Sequence, residues 1–69
     1  MKFKKGDIVK VKEEVYGLIE KNAIGRVIDS AGLKYMVEPI EGYEDKFLKG
    51  EGRFLHEEEL ELYEGEEKK

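Results

Sequence analysis

Apolar positions fall into short alternating runs separated by glycine, asparagine and charged residues, a β-sheet period with no sustained helical one. Residues 7–13, DIVKVKE, set Val9 and Val11 on one face and Lys10 and Lys12 on the other, with Ile8 partly covered at the start. That alternation predicts a half-buried first strand, entered through a turn at Gly6-Asp7. Residues 13–25 are mixed; Gly17 and Asn22 bend them, while Val15, Tyr16, Leu18 and Ile19 are apolar enough to pack back on the sheet. A long excursion is expected there, with room for a short helical turn. Residues 24–29, IGRVID, predict a second strand with Val27 inward, Gly25 and Asp29 on the same side, and Ile24 closing one end of the core. Ser30-Ala31-Gly32 reads as a tight turn, and residues 33–38, LKYMVE, as a third strand with Tyr35 and Val37 in the core, so that strands two and three form a hairpin.

Pro39 has no N–H to give a ladder and ends that strand or sits at an edge. Residues 40–52, with Gly42, Gly50 and Gly52, predict a second long loop, and long ordered loops in small domains are often functional. Residues 53–56, RFLH, make a short fourth strand, Glu57-Glu58-Glu59 a single helical turn, and 60–63, LELY, a fifth strand with Leu60 and Leu62 on one face. The expected fold is all-β: one domain over residues 1–63, a small five-stranded barrel with two long loops, followed by a solvated, charged tail over 64–69. Closing the sheet would hide the edges that a small sheet otherwise exposes.

With 69 residues, nothing larger than one small domain fits. There is no cysteine, which removes disulfides, thiolate metal sites and thiol nucleophiles together. No apolar run approaches the ~20 residues of a membrane span. MKFKKGDIV has basic residues but no apolar stretch of a secretory leader, so a cytoplasmic location and no membrane association are expected. The charge is uneven: 13 basic and 17 acidic residues give −4, but residues 1–34 carry +3 and residues 35–69 carry −7. Binding that depends on neutralising phosphates is disfavoured by the overall sign, so RNA or DNA is the less favoured partner. The acidic half suits a basic protein partner. Abundant Lys and Glu, one Asn and no Gln, Thr or Cys give a thermophile-like composition.

The run KGDIVKV, then IGRVID, KYMVE and a closing EELEL, resembles the SH3-like barrels that carry KOW-type motifs, found in NusG-type transcription factors and ribosomal proteins. Gly6, Asp7, Val9, Val11, Gly25 and Val27 match that pattern. The stretch IGRVIDSAGLKYMV is also similar to the central hairpin of electron-transport accessory barrels such as the peripheral stromal subunit of photosystem I. The resemblance spans roughly residues 3–63 and implies an SH3-like barrel. It also implies that aromatic residues of the long loops line one groove able to hold a proline-rich peptide or a cation.

Tyr16 on the first excursion and Tyr43 and Phe47 on the second are the candidate groove residues, flanked by Glu41, Glu44 and Asp45, which would draw a basic partner. The same aromatics could instead close a core too small to close without them, the expected role of Tyr35. Lys10, Lys12 and Arg26 form a second candidate surface, for phosphates in a KOW-type role, against the plainer reading of lysines protecting a solvated strand. His56 is the only histidine and Ser30 the only hydroxyl besides the tyrosines; no orienting acid or oxyanion site accompanies them, so no enzymatic role is expected. His56 with Glu57, Glu58 and Glu59 offers metal-binding groups, but consecutive residues point different ways and no metal or other cofactor is expected. There is no phosphate-cradling glycine motif. A monomeric, non-enzymatic module that docks a protein or peptide is the expected function, with a nucleic-acid-associated module the alternative; exposed strand edges leave a route to a dimer.

Overall fold

The structure, a computed structural model, describes residues 3–15 and 17–63. The tail expected over 64–69 and the candidate Tyr16 lie outside the described residues. Five strands follow in order, β1 Ile8–Val11, β2 Ile24–Ala31, β3 Lys34–Pro39, β4 Arg53–His56 and β5 Leu60–Leu62, with 3-10 turns at Glu44–Lys46, Leu48–Gly50 and Glu57–Glu59. All pairings are antiparallel, in one sheet of order β4-β3-β2-β1-β5. The all-β expectation holds. The sheet is not closed: β4 and β5 are its two edges, joined by the turn at Glu57–Glu59.

Alternation in β1 works as the sequence requires, with Val9 and Val11 fully buried and Lys10 half-buried on the other face. They join Val15, Ile19, Ala23, Val27, Tyr35, Val37, Phe47, Leu55, Leu60 and Phe3 in one core. Phe3 meets the Tyr35 ring edge-on with centroids 5.2 Å apart, and its N–H donates to the Tyr35 hydroxyl at 3.3 Å. Gly6 N–H donates to the Val27 carbonyl at 2.7 Å, which ties the entry segment to β2.

Two differences from the sequence reading have local causes. β2 runs on through Ser30 and Ala31, so the hairpin turns at Gly32-Leu33, where Gly32 adopts a left-handed φ of 65°. The ladder also shifts between Val27 and Asp29: Val27 pairs with Val37, but Asp29 pairs with Met36. This one-residue bulge moves Asp29 off the Val27 side, correcting the expected shared face. Ile24 is buried but lies outside the core cluster; it registers with Lys10, on the opposite face from Val9. At Gly25 a Cβ would lie 2.5 Å from a Val37 methyl and 2.6 Å from the Glu38 carbonyl oxygen, so β2 and β3 approach too closely there for a side chain.

Candidate functional site

The two long loops are stitched to each other. Leu18 N–H donates to the Val15 carbonyl at 2.7 Å and Val15 N–H to that of Ile19 at 2.9 Å, so Val15 and Ile19 are brought face to face and the described residues of the first loop hold no helix. Ile19 then pairs with Phe47 in an isolated antiparallel bridge. On either side of that bridge Leu48 N–H donates to the Leu18 carbonyl at 2.7 Å and Glu20 N–H to the Lys46 carbonyl at 3.0 Å. The Lys46 ammonium adds an exposed ion pair to Glu20 Oε1 at 3.4 Å. The side chains of Ile19 and Phe47 both point into the core, so each loop is anchored from beneath by burial as well as by backbone bonds.

Between them lies an open groove of about 360 Å³, lined by Glu14, 17–20 and 44–50. Its apolar surface comes from half-buried Leu18 and from Leu48, which is 43% exposed. Four carboxylates, Glu14, Glu20, Glu44 and Asp45, face two ammonium groups, Lys46 and Lys49, and Lys46 is engaged by Glu20. Lys49 holds a left-handed φ of 59°, a conformation that suits glycine better than lysine.

The sequence candidates sort unevenly around this groove. Glu44 and Asp45 line it. Glu41 is exposed and Tyr43 half-buried, both outside the lining. Phe47 also lies along the groove lining, but it is 2% exposed. Its segment is polar, yet its ring belongs to the core and fastens the loop from beneath, so it offers the groove little accessible surface. Leu18, Leu48, Glu14 and Glu20 were missed as site residues. The signal for Leu48 was its place beside Phe47 in an otherwise polar loop, where one apolar residue can be buried and its neighbour left facing out.

The basic face is largely self-neutralised. Lys10 registers with Glu61 and meets its carboxylate at 3.1 Å. Arg26 registers with Glu38 and meets it at 3.7 Å. Lys12 is half-buried beside β5, its N–H donating to the Glu59 carbonyl at 2.9 Å.

His56 sits at the end of β4 and caps the following turn. Its Nδ1 accepts from Glu58 N–H at 3.3 Å, and its own N–H donates to Glu59 Oε1 at 2.8 Å. This reciprocal capping uses the imidazole and one of the three carboxylates structurally. Among the described residues no three carboxylate or imidazole groups gather as a metal site would require, and no helix is long and apolar enough to cross a membrane. Comparison with known protein families, with curated sequences and with solved structures finds no match for this chain.

Proposed function

We propose that this chain is a non-enzymatic binding module whose groove between the two long loops docks a basic protein segment carrying an apolar anchor. The observation that carries this reading is the pairing of an exposed Leu48 and half-buried Leu18 with four carboxylates along one open groove. An apolar side chain of the partner would cover the two leucines, and its Lys or Arg neighbours would meet Glu14, Glu20, Glu44 and Asp45. Charge of this sign raises the encounter rate of a basic partner and repels an acidic one. The stitched loops are ordered before binding, so little conformational entropy is lost when the partner arrives. In this reading Phe47 and Ile19 support the groove from below and Tyr43 flanks it.

The strand order, with a 3-10 turn between the last two strands, also supports assigning the sheet to an SH3-like, KOW-type barrel as our reading of the architecture. A phosphate-binding role for Lys10, Lys12 and Arg26 is less well supported, because Lys10 and Arg26 already face carboxylates across the sheet.

The test is an amide chemical-shift titration with two probes, a short synthetic peptide alternating arginine and leucine and a single-stranded RNA oligonucleotide. The peptide is expected to shift Leu18, Glu20, Leu48 and Gly50. Shifts confined to β1 and β2 with RNA, steeply weakened by salt, would move the assignment to the nucleic-acid role. No localised response to the peptide would remove the groove reading.

A further inference from the structure

We propose that the open edge of β4 pairs with the same edge of a second copy of this chain, giving a two-fold symmetric dimer centred on Phe54. Among the described residues β4 has β3 as its one neighbour in the sheet. Glu57 N–H donates to the Leu33 carbonyl at 2.9 Å, and the ladder continues through Tyr35↔Leu55 and Val37↔Arg53. Antiparallel ladders alternate, so the backbone of Arg53, Leu55 and Glu57 turns toward β3, and that of Phe54 and its even-numbered neighbours turns toward the open side.

Edges of this kind are usually blunted by charged side chains, proline, a bulge or shortness. β4 is short, but residues 52–56, GRFLH, hold no lysine, proline or bulge, and Arg53, in register with Val37, is half-buried on the core side and does not stand on the outer face. Instead Phe54 leaves its ring 48% exposed on the face away from the core, in register with half-buried Met36.

The register follows from what is already used. His56 N–H is taken by Glu59 Oε1. A pairing centred on Leu55 and one centred on Phe54 both forgo that donor in each copy, but centred on Leu55 the ladder is left with only Phe54 N–H to the His56 carbonyl, once in each direction. Centred on Phe54, the two Phe54 residues exchange N–H and carbonyl, and each Gly52 N–H reaches the His56 carbonyl of the other copy, while His56 N–H stays capped.

The side chains on the outer face then complement one another. The central row reads Met36, Phe54, Phe54, Met36, placing two aromatic rings directly opposite across the dyad, an arrangement that stabilises antiparallel pairs. The flanking rows run Lys34 and His56 of one copy, then Gly52 and Glu38 of the other, as the ladder dictates. Gly52 has no side chain, so Glu38 of the second copy can lean across it toward His56 and Lys34. Glu38 has the capacity, since its contact with Arg26 is exposed and 3.7 Å long. Apolar centre and opposite charges at both ends make the edge complementary to itself, as a two-fold interface requires.

This inference is independent of the groove, which shares no residue with it. Sedimentation over about 10 µM to about 1 mM covers the range where a small edge interface saturates. The mass is expected to rise from 8.0 kDa toward twice that value. Phe54→Lys should raise the dimer dissociation constant at least ~10-fold, with the melting temperature of the dilute protein little changed. Lys34→Glu alone and Glu38→Lys alone should each weaken association, and the two together should restore it. Leu48→Ala should leave it unchanged. A chain that stays monomeric to the top of the range, or associates equally well with Phe54→Lys, would overturn the proposal; failure of the charge swap to restore association would overturn the register.

Discussion

Phe47 and Leu48 are chain neighbours with opposite tasks, and substituting each by alanine separates the core from the groove. The Phe47 ring is 2% exposed and packs with the sheet residues of the core. Truncating such a ring costs about 3–5 kcal/mol, the lost transfer energy plus the cavity left behind. A chain of this length has a total stability of roughly 3–10 kcal/mol at ~0.05–0.15 kcal/mol per residue. Phe47→Ala should therefore lower the melting temperature by at least ~15 °C and leave a measurable unfolded fraction at room temperature. The loss should spread to the Ile19 bridge and to the backbone bonds at Leu18 and Glu20, because Phe47 positions the Leu48 N–H that donates to the Leu18 carbonyl and the Lys46 carbonyl that accepts from Glu20 N–H. Leu48 is 43% exposed, so Leu48→Ala should change stability by no more than about 0.5–1 kcal/mol. If the groove docks a peptide as proposed, its effect belongs to binding: covering the rest of that side chain is worth about 1 kcal/mol, near a fivefold weakening of the arginine–leucine peptide. Urea unfolding by circular dichroism and amide titration supply the two readouts. If Phe47→Ala melted within a few degrees of the parent while losing peptide binding, the ring would be a surface contact after all and the anchoring argument would fail.

Three further substitutions probe the frame of the site. Gly25→Ala places a methyl 2.6 Å from the Glu38 carbonyl and 2.5 Å from a Val37 methyl, so β2 and β3 must part; a loss of about 1–3 kcal/mol in denaturant titration is expected, and a neutral result would contradict the close approach. Lys49→Gly relieves a φ of 59° and should stabilise by about 0.5 kcal/mol, the left-handed cost less the entropy of an added glycine, seen as a rise in the urea midpoint. Tyr35→Phe keeps the edge-on contact with Phe3 but deletes the hydroxyl that accepts from Phe3 N–H; about 0.5–1.5 kcal/mol should be lost, with hydrogen exchange quickening at Phe3.

The strands were legible because each carries its own two-residue period: Val9 and Val11, Tyr35 and Val37, and Leu60 all take the core positions that alternation assigns. Alternation alone cannot reveal where a ladder gains a residue. The bulge between Val27 and Asp29 changes parity inside a run that looks regular, and Asp29 therefore leaves the Val27 side. The hairpin turn moved for a similar reason. Ser30 and Ala31 have turn-like composition, but both pair with β3, and Gly32 is where the left-handed backbone is needed. The loops were harder, because their order comes from contacts remote in sequence. Glu20 with Lys46 and Leu18 with Leu48 lie 26 and 30 positions apart, and no local pattern announces such pairs.

That non-local order explains why the groove falls between the loops rather than on the sheet. The outer sheet face carries Lys10 opposite Glu61 and Arg26 opposite Glu38, pairs that cancel charge close to its source and leave little net field. The groove carries four carboxylates against two lysines, one of which is engaged by Glu20, so its charge remains available. The loops that hold those carboxylates cannot drift apart without exposing Ile19 and Phe47, which makes the burial that stabilises the domain also fix the spacing of Glu14 and Glu20 against Glu44 and Asp45. On the proposed reading, a partner would meet a preformed acidic cleft instead of ordering two loops, and its affinity should respond to Leu48 and the carboxylates more than to loop length. Removing the anchors should loosen the cleft and the fold together, whereas removing the rim charges should, on the proposed reading, change recognition alone.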